Sequence, residues 1–241
     1  MKTIGLLGGM SWESSIEYYR IINQVTRQRL GGLHSAQSVM VSVDFASIEA
    51  LQNQSRWDEA AQLLISNARQ IQAAGADFLL IATNTMHKIY PQLQVALDIP
   101  ILHIADATAF KIQEAGLKRL GLLGTIYTMR QEFYIGRLQD RYGLEILVPG
   151  LADQEQVNRI IFEELVVGVI KDPSRQVYRD IIHNLIDLGA EGVILGCTEI
   201  PLIVNPDEFV VPVFDTTYIH AEMAVEIALG ERRLDTSMIV D

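Results

Sequence analysis

The sequence holds a single cysteine, Cys197, among 241 residues. One thiol closes no intramolecular disulfide, and a thiol that stays free suits a reducing compartment, so a cytoplasmic protein is expected. Basic residues are scarce: 19 Lys and Arg stand against 30 Asp and Glu, a formal net charge of −11. Without a basic stripe to gather phosphates, nucleic acid is excluded as an expected partner. No apolar run approaches the ~20 residues of a membrane span, so no membrane partner is expected. The opening MKTIGLL is interrupted by Gly8, Gly9 and Glu13, so it does not read as a signal peptide. Cys and His nowhere cluster at ligand spacing, and no metal is expected.

What is present is an ordinary globular balance, 49% hydrophobic and 20% charged, long enough for one large or two small domains. Short runs rich in Ile, Leu and Val fall at residues 3–7, 38–43, 78–82, 101–104, 120–123 and 193–195. Such runs, apolar on both faces, are what parallel strands look like when helices cover both sides of a sheet. Amphipathic stretches between them predict helices over 14–30, 56–74, 129–141, 154–167, 173–188 and 217–229. The first of these has Ser14 and Glu17 in capping-box spacing and ends at Gly31-Gly32. The fold class is therefore α/β.

The sequence also repeats itself. TIGLLGGMSWESSIEYYRII from Thr3 reads like RLGLLGTIYTMRQEFYIGRL from Arg119, matching Gly5 to Gly121 at an offset of 116 residues. AGADFLLIATNT and LGAEGVILGCTE match at an offset of 114, which sets Thr83 opposite Cys197. Two βα units sharing general grammar would look somewhat alike, but colinearity over two blocks favours duplication. The expected architecture is two similar doubly wound domains with parallel sheets related by a pseudo-twofold axis, the active site between them. Their expected extents are residues 1–100 plus 214–241 and residues 101–213.

Three places carry candidate chemistry. The turn Gly5-Leu6-Leu7-Gly8-Gly9 follows a strand and precedes a helix, a context in which backbone N–H groups bind an anion such as a substrate carboxylate. It is not a GxGxxG fingerprint, and Asp44 lies too far on to serve a ribose. Thr83, Asn84 and Thr85, followed by Met86 and His87, bunch polar groups directly after an apolar strand. Capping of the next helix is the alternative use of those side chains, and His87 by itself suits a supporting, structural role. Cys197 follows Gly196 at a strand end, before Thr198 and Glu199. A helix N-terminus there would lower the thiol pKa below about 8.5, whereas a small buried hydrophobe is the inert alternative.

Thr83-Asn84-Thr85-Met86-His87, Gly196-Cys197-Thr198-Glu199 and Gly8-Gly9-Met10-Ser11-Trp12-Glu13-Ser14 together resemble the signature segments of the aspartate/glutamate racemase family. The resemblance runs over essentially the whole chain. It implies an isomerase that removes a proton from the Cα of an amino acid and returns one to the opposite face, using a cysteine from each half and no cofactor. This chain departs from that pattern, since Thr83 stands where the first cysteine would be. Its hydroxyl does not ionise near neutral pH, which leaves Cys197 as the main base. The subgroup specific for L-aspartate and L-glutamate, which this chain resembles in particular, carries the same Thr/Cys pair.

The resemblance implies substrate contacts at Met10, Gln52, Thr83, Asn84, Thr85, Thr125, Tyr127, Thr128, Thr198 and Glu199, with Ser11 and His87 in support. Gln52, in the expected loop 44–52, stands where acidic-substrate relatives often place an arginine, with Arg56 close behind. A neutral amide leaves broad specificity open. Lys171 is an alternative cation, although a solvated helix-end lysine explains it as well. Thr125, Tyr127 and Thr128, mirroring the first glycine-rich turn, are placed to take the α-carboxylate. A homodimer is expected on general grounds. A related isomerase or decarboxylase, or an amino-acid-binding pseudoenzyme, remains the alternative.

Overall fold

The structure, a computed structural model, describes residues 1–234; the last residues of the expected first domain lie outside them. The chain divides into two compact units, Met1–Ile104 with the described part of His220–Asp241, and Ala105–Ile219. The first unit runs β1 (Ile4–Gly8), α1 (Trp12–Leu30), β2 (Ser38–Ser42), α2 (Phe45–Asn53), α3 (Trp57–Ala73), β3 (Phe78–Ile81), α4 (Tyr90–Val95) and β4 (Ile101–Leu102). Then come α5 (Ile104–Glu114), β5 (Arg119–Gly124), α6 (Ile126–Arg130), α7 (Ile135–Tyr142), β6 (Glu145–Leu147), α8 (Leu151–Glu163), α9 (Asp172–Asp187), β7 (Gly192–Gly196), β8 (Val213–Asp215) and α10 (Thr216–Leu229).

Each unit has a four-stranded sheet, β2-β1-β3-β4 in one and β6-β5-β7-β8 in the other, and neighbouring strands among the described residues pair in parallel. The register repeats as well as the order. Ile4 stands opposite Phe78 and Leu120 opposite Gly192, so the sequence offsets of 116 and 114 residues are also structural offsets. The strands β1, β3 and β7 are buried along their full length, as both-face coverage requires, whereas the edge strand β2 is only partly covered.

Helix propensity and patterning explain the cover. In α3, Ala60, Ala61, Leu64, Ile65, Ala68 and Ile71 form one buried stripe, each large aliphatic contributing about 1.5–3 kcal/mol by leaving water. A Cβ on Gly5 would fall 2.6 Å from Ile71 Cγ2, so glycine lets that helix approach β1. Helix α1 ends where Gly31, at φ +78°, turns its N–H onto Arg27 O.

Several boundaries differ from the sequence reading. The first helix starts at Trp12 with Ser11 as its cap, accepting from the Ser14 backbone N–H, and Ser14 lies inside the first turn. Residues 44–52 are not a loop: Asp44 accepts from Ala46 N–H and caps α2. The run 101–104 is strand only to Leu102, because α5 begins at Ile104. The helix expected over 129–141 is broken between Arg130 and Ile135, and β6 and β8 are short strands the sequence did not announce.

Candidate active site

In both sheets the chain steps from its first strand to one side and then returns on the other, which makes the β1/β3 and β5/β7 edges topological switch points. Ligands of such sheets bind outside the carboxyl ends of the strands there. The first unit brings Gly9, Met10 and Ser11 to the end of β1 and Thr83, Asn84 and Thr85 to the end of β3. The two ends are stitched together, with Ala82 N–H donating to Leu7 O at 2.9 Å and Ser14 Oγ at 3.5 Å from Ala82 O.

The glycine-rich turn is not an open anion cradle. Gly9 N–H donates to Ser15 Oγ at 2.7 Å, and Ser15 Oγ in turn donates to Ser11 O at 2.9 Å. That amide is already used, contrary to the carboxylate-binding role expected of the turn. Gly9 itself is required by packing and conformation: its φ is +91°, and a Cβ would fall 2.2 Å from Val43 O.

After β3 the backbone winds into a short 3-10 turn over Thr85–Ile89. Thr83, Asn84, Thr85 and His87 are all buried. Asn84 sits at the cap position without a side-chain capping bond, so the helix-cap reading of this cluster is not realised there. His87 is tied at both nitrogens. Ile104 N–H donates to Nε2 at 3.2 Å, which makes Nδ1 the protonated atom, and Nδ1–H donates to Thr83 O at 2.8 Å. The imidazole thus fixes the Thr83 backbone from behind.

The second unit repeats the arrangement. Gly124 and Gly196 pack so closely that a Cβ on Gly124 would fall 2.7 Å from Gly196 O, and Thr128 lies against both glycines. Thr125 caps α6 by accepting from Thr128 N–H at 3.3 Å, with the two hydroxyls 3.2 Å apart, and Tyr127 is half-buried beside them. Cys197, 7% exposed, donates from Sγ to Glu199 Oε2 at 3.0 Å, and Thr198 Oγ1 donates to the same oxygen at 2.9 Å. Burial and the Glu199 carboxylate push the thiol pKa well up, while the N–H groups of Glu199 and Thr198 pull less strongly the other way. The expected lowering is therefore reversed. Only a three-residue 3-10 turn, Ile200–Leu202, follows, too short to supply an α-helix dipole.

The remaining candidates are placed as follows. Met10 and Ser11 are buried at the β1 end. Gln52 projects from α2, is buried, and donates from Nε2 to Met86 Sδ at 2.9 Å. Arg56 is exposed and paired with Glu59 at 2.5 Å. Lys171 pairs with the buried Glu164 at 3.3 Å, and Ser174 Oγ donates to that same carboxylate at 2.6 Å. The sequence reading missed Ser15, whose hydroxyl takes the Gly9 N–H, and the buried Glu164 beneath Lys171. Ser15 was hidden in an ordinary helical turn, and Glu164 in an amphipathic stripe. Among the described residues no group of three or more His, Cys, Asp and Glu side chains is set to hold a metal, and no helix is long and apolar enough to cross a membrane.

Paired switch-point sites on duplicated parallel α/β units, one with a buried thiol and one with a threonine, define the class of the amino-acid racemase fold. Residues 7–224 match the Asp/Glu/hydantoin racemase family, and the chain belongs to it. The Bacillus subtilis (strain 168) broad specificity amino-acid racemase RacX is 27% identical over 177 residues, 72% of this chain and 74% of its own length. The crystal structure of a candidate Asp/Glu racemase from Yersinia pestis is 52% identical, with a TM-score of 0.89 over 95% of this chain and 100% of that one. An aspartate racemase homologue from Pyrococcus horikoshii OT3 is 36% identical, with a TM-score of 0.82 over 95% and 100%. The chain is accordingly an enzyme of the isomerase class.

Proposed function

We propose that this protein interconverts the L and D forms of an amino acid without PLP or metal, with Cys197 as the main base and Thr83 serving the opposite face of Cα. The observation that carries this reading is the Cys197–Glu199 pair at the end of β7, at the place in the fold that Thr83 occupies at the end of β3. At rest the sulfur is protonated. Passing that proton to Glu199 leaves a thiolate beside a neutral acid, so two negative charges never face each other at 3.0 Å. The thiolate then takes the Cα proton and the electron pair stays on the substrate. The Thr83 hydroxyl, or a water it orients, delivers a proton to the other face and is refilled from solvent, while Glu199 releases to solvent the proton it took from the thiol. A hydroxyl cannot become a ready base at neutral pH, so exchange from the D side is the slower process.

The substrate is an acidic or more varied amino acid. Gln52 offers an amide where a cation would favour a side-chain carboxylate, and the broad specificity in the name of the Bacillus subtilis relative supports a wide range. A cytoplasmic homodimer completes the reading. Chiral analysis of purified protein incubated with L- and D-aspartate, glutamate and neutral amino acids, with and without chelator, tests it. Inversion of at least one substrate that survives chelation is expected. Binding without inversion or exchange, or release of carbon dioxide from a malonate instead, would overturn it.

A further inference from the structure

Three imidazoles are buried together in the first unit: His87 in the turn after β3, His103 between β4 and α5, and His220 on α10. The His87 ring centroid lies 4.4 Å from that of His103 and 6.0 Å from that of His220. Burying a polar ring is costly unless its nitrogens are bonded, and those of His87 and His220 are. His220 Nε2 lies 2.9 Å from Leu102 O, and a carbonyl can only accept, so Nε2 carries the hydrogen. The neutral ring then accepts at Nδ1, from the Tyr18 hydroxyl at 2.8 Å. His87 has the opposite tautomer, taking the Ile104 N–H at Nε2 over 3.2 Å and donating from Nδ1 to Thr83 O over 2.8 Å.

The two rings therefore hold the peptide groups on either side of His103, Leu102 C=O by His220 and Ile104 N–H by His87. Donation runs one way, from Tyr18 through His220 to the 102–104 backbone, and from there through His87 to Thr83. Hydrogen bonds aligned in series strengthen one another. The series ends on a residue with little freedom left. Thr83 N–H donates to Ile81 O at 2.8 Å, its carbonyl takes His87, and a β-branched side chain has few χ1 choices once its backbone is fixed. Without the His220 ring Leu102 C=O is released and the 102–104 backbone can shift. The Ile104 N–H that keeps His87 in its Nδ1–H form shifts with it.

We propose that His220 is a positioning residue for Thr83, acting through the 102–104 backbone and His87 and oriented by Tyr18. It touches no substrate and transfers no proton. This role rests on the racemase reading, in which the Thr83 hydroxyl or its water must reach one face of Cα.

The test separates the two faces. For an L substrate in deuterated water, exchange with retention needs only the Cys197 side, whereas inversion also needs the Thr83 side. The ratio of inversion to exchange should fall about tenfold in His220→Phe and less in Tyr18→Phe, with KM within about twofold, because a displacement of about 1 Å can cost about 10²-fold. A packing role alone would lower the thermal midpoint and leave that ratio unchanged, which overturns the proposal. Nitrogen NMR of the five histidines reads the same relay without substrate. Wild-type His87 should show a protonated Nδ1 and a bare Nε2, and His220 the reverse. In Tyr18→Phe, which decides if His220→Phe does not fold, the His220 tautomers should mix and the His87 shifts should move with them. A His87 signal indifferent to Tyr18→Phe overturns the proposal whatever the ratio does. Neither exchange nor inversion by the wild type would sink the racemase reading instead, a result the tautomer signals do not share.

Discussion

The Cys197 thiol and the Glu199 carboxylate share one hydrogen bond of 3.0 Å inside the second unit. The carboxylate raises the thiol pKa, and it is also the acceptor to which the thiol proton can go. Glu199→Gln removes the charge and keeps the shape. The alkylation midpoint of Cys197 should move to lower pH, while Cα exchange falls by about 10²–10⁴-fold for want of the proton acceptor. A midpoint that does not move would show that Glu199 does not control the sulfur.

The same pair predicts a pH dependence of stability. The folded pKa of Cys197 lies above its unfolded value of about 8.5, so the stabilisation is complete below that value and is lost as pH rises through the folded pKa. Thermal midpoints from pH 7 to 10 should therefore decline more steeply for the wild type than for Cys197→Ser. Parallel declines would count against the buried thiol–carboxylate bond.

Thr83→Cys puts an ionisable group of similar size at the end of β3. Exchange from D-substrate should rise relative to exchange from L-substrate, because a thiol near pKa 8.5 can act as a base where a hydroxyl cannot. The separate exchange rates at low conversion carry the information, since kcat/KM for the two directions stays tied to an equilibrium constant near one. If D-side exchange is unchanged, Thr83 does not serve the second face.

His87 anchors Thr83 through its carbonyl and α5 through the Ile104 amide. His87→Phe keeps a ring and removes both bonds, leaving buried backbone groups at about 1–3 kcal/mol each. Urea unfolding should show a loss of about 2–4 kcal/mol. A loss below about 0.5 kcal/mol, the range of an ordinary surface change, would deny the anchoring role.

The central strands were legible because burial on both faces leaves continuous apolar runs such as Phe78–Ile81. The short edge strands Glu145–Leu147 and Val213–Asp215 have too few residues to stand out. Helix α2 was read as a loop, although Asp44 is a normal cap, because only nine residues follow it. Ile104 looked like the end of a strand, whereas its N–H donates to His87 Nε2 at the start of α5, a contact the sequence does not reveal. The repeat in the sequence sets Thr83 opposite Cys197, and the structure has them just after the equivalent strands β3 and β7. The direction of the Cys197 pKa shift was not legible, since it depends on Glu199 folding back onto the sulfur and on the absence of an α-helix behind it.

The role of Cys197 is tested most directly by Cα–H exchange with solvent deuterium from L-aspartate, L-glutamate and their D forms, comparing the wild type with Cys197→Ser at low conversion. Exchange by the wild type and its loss in the folded variant is the predicted result. A variant that keeps more than about a tenth of the wild-type rate, a barrier change under about 1.4 kcal/mol, would contradict the assignment of Cys197 as the base.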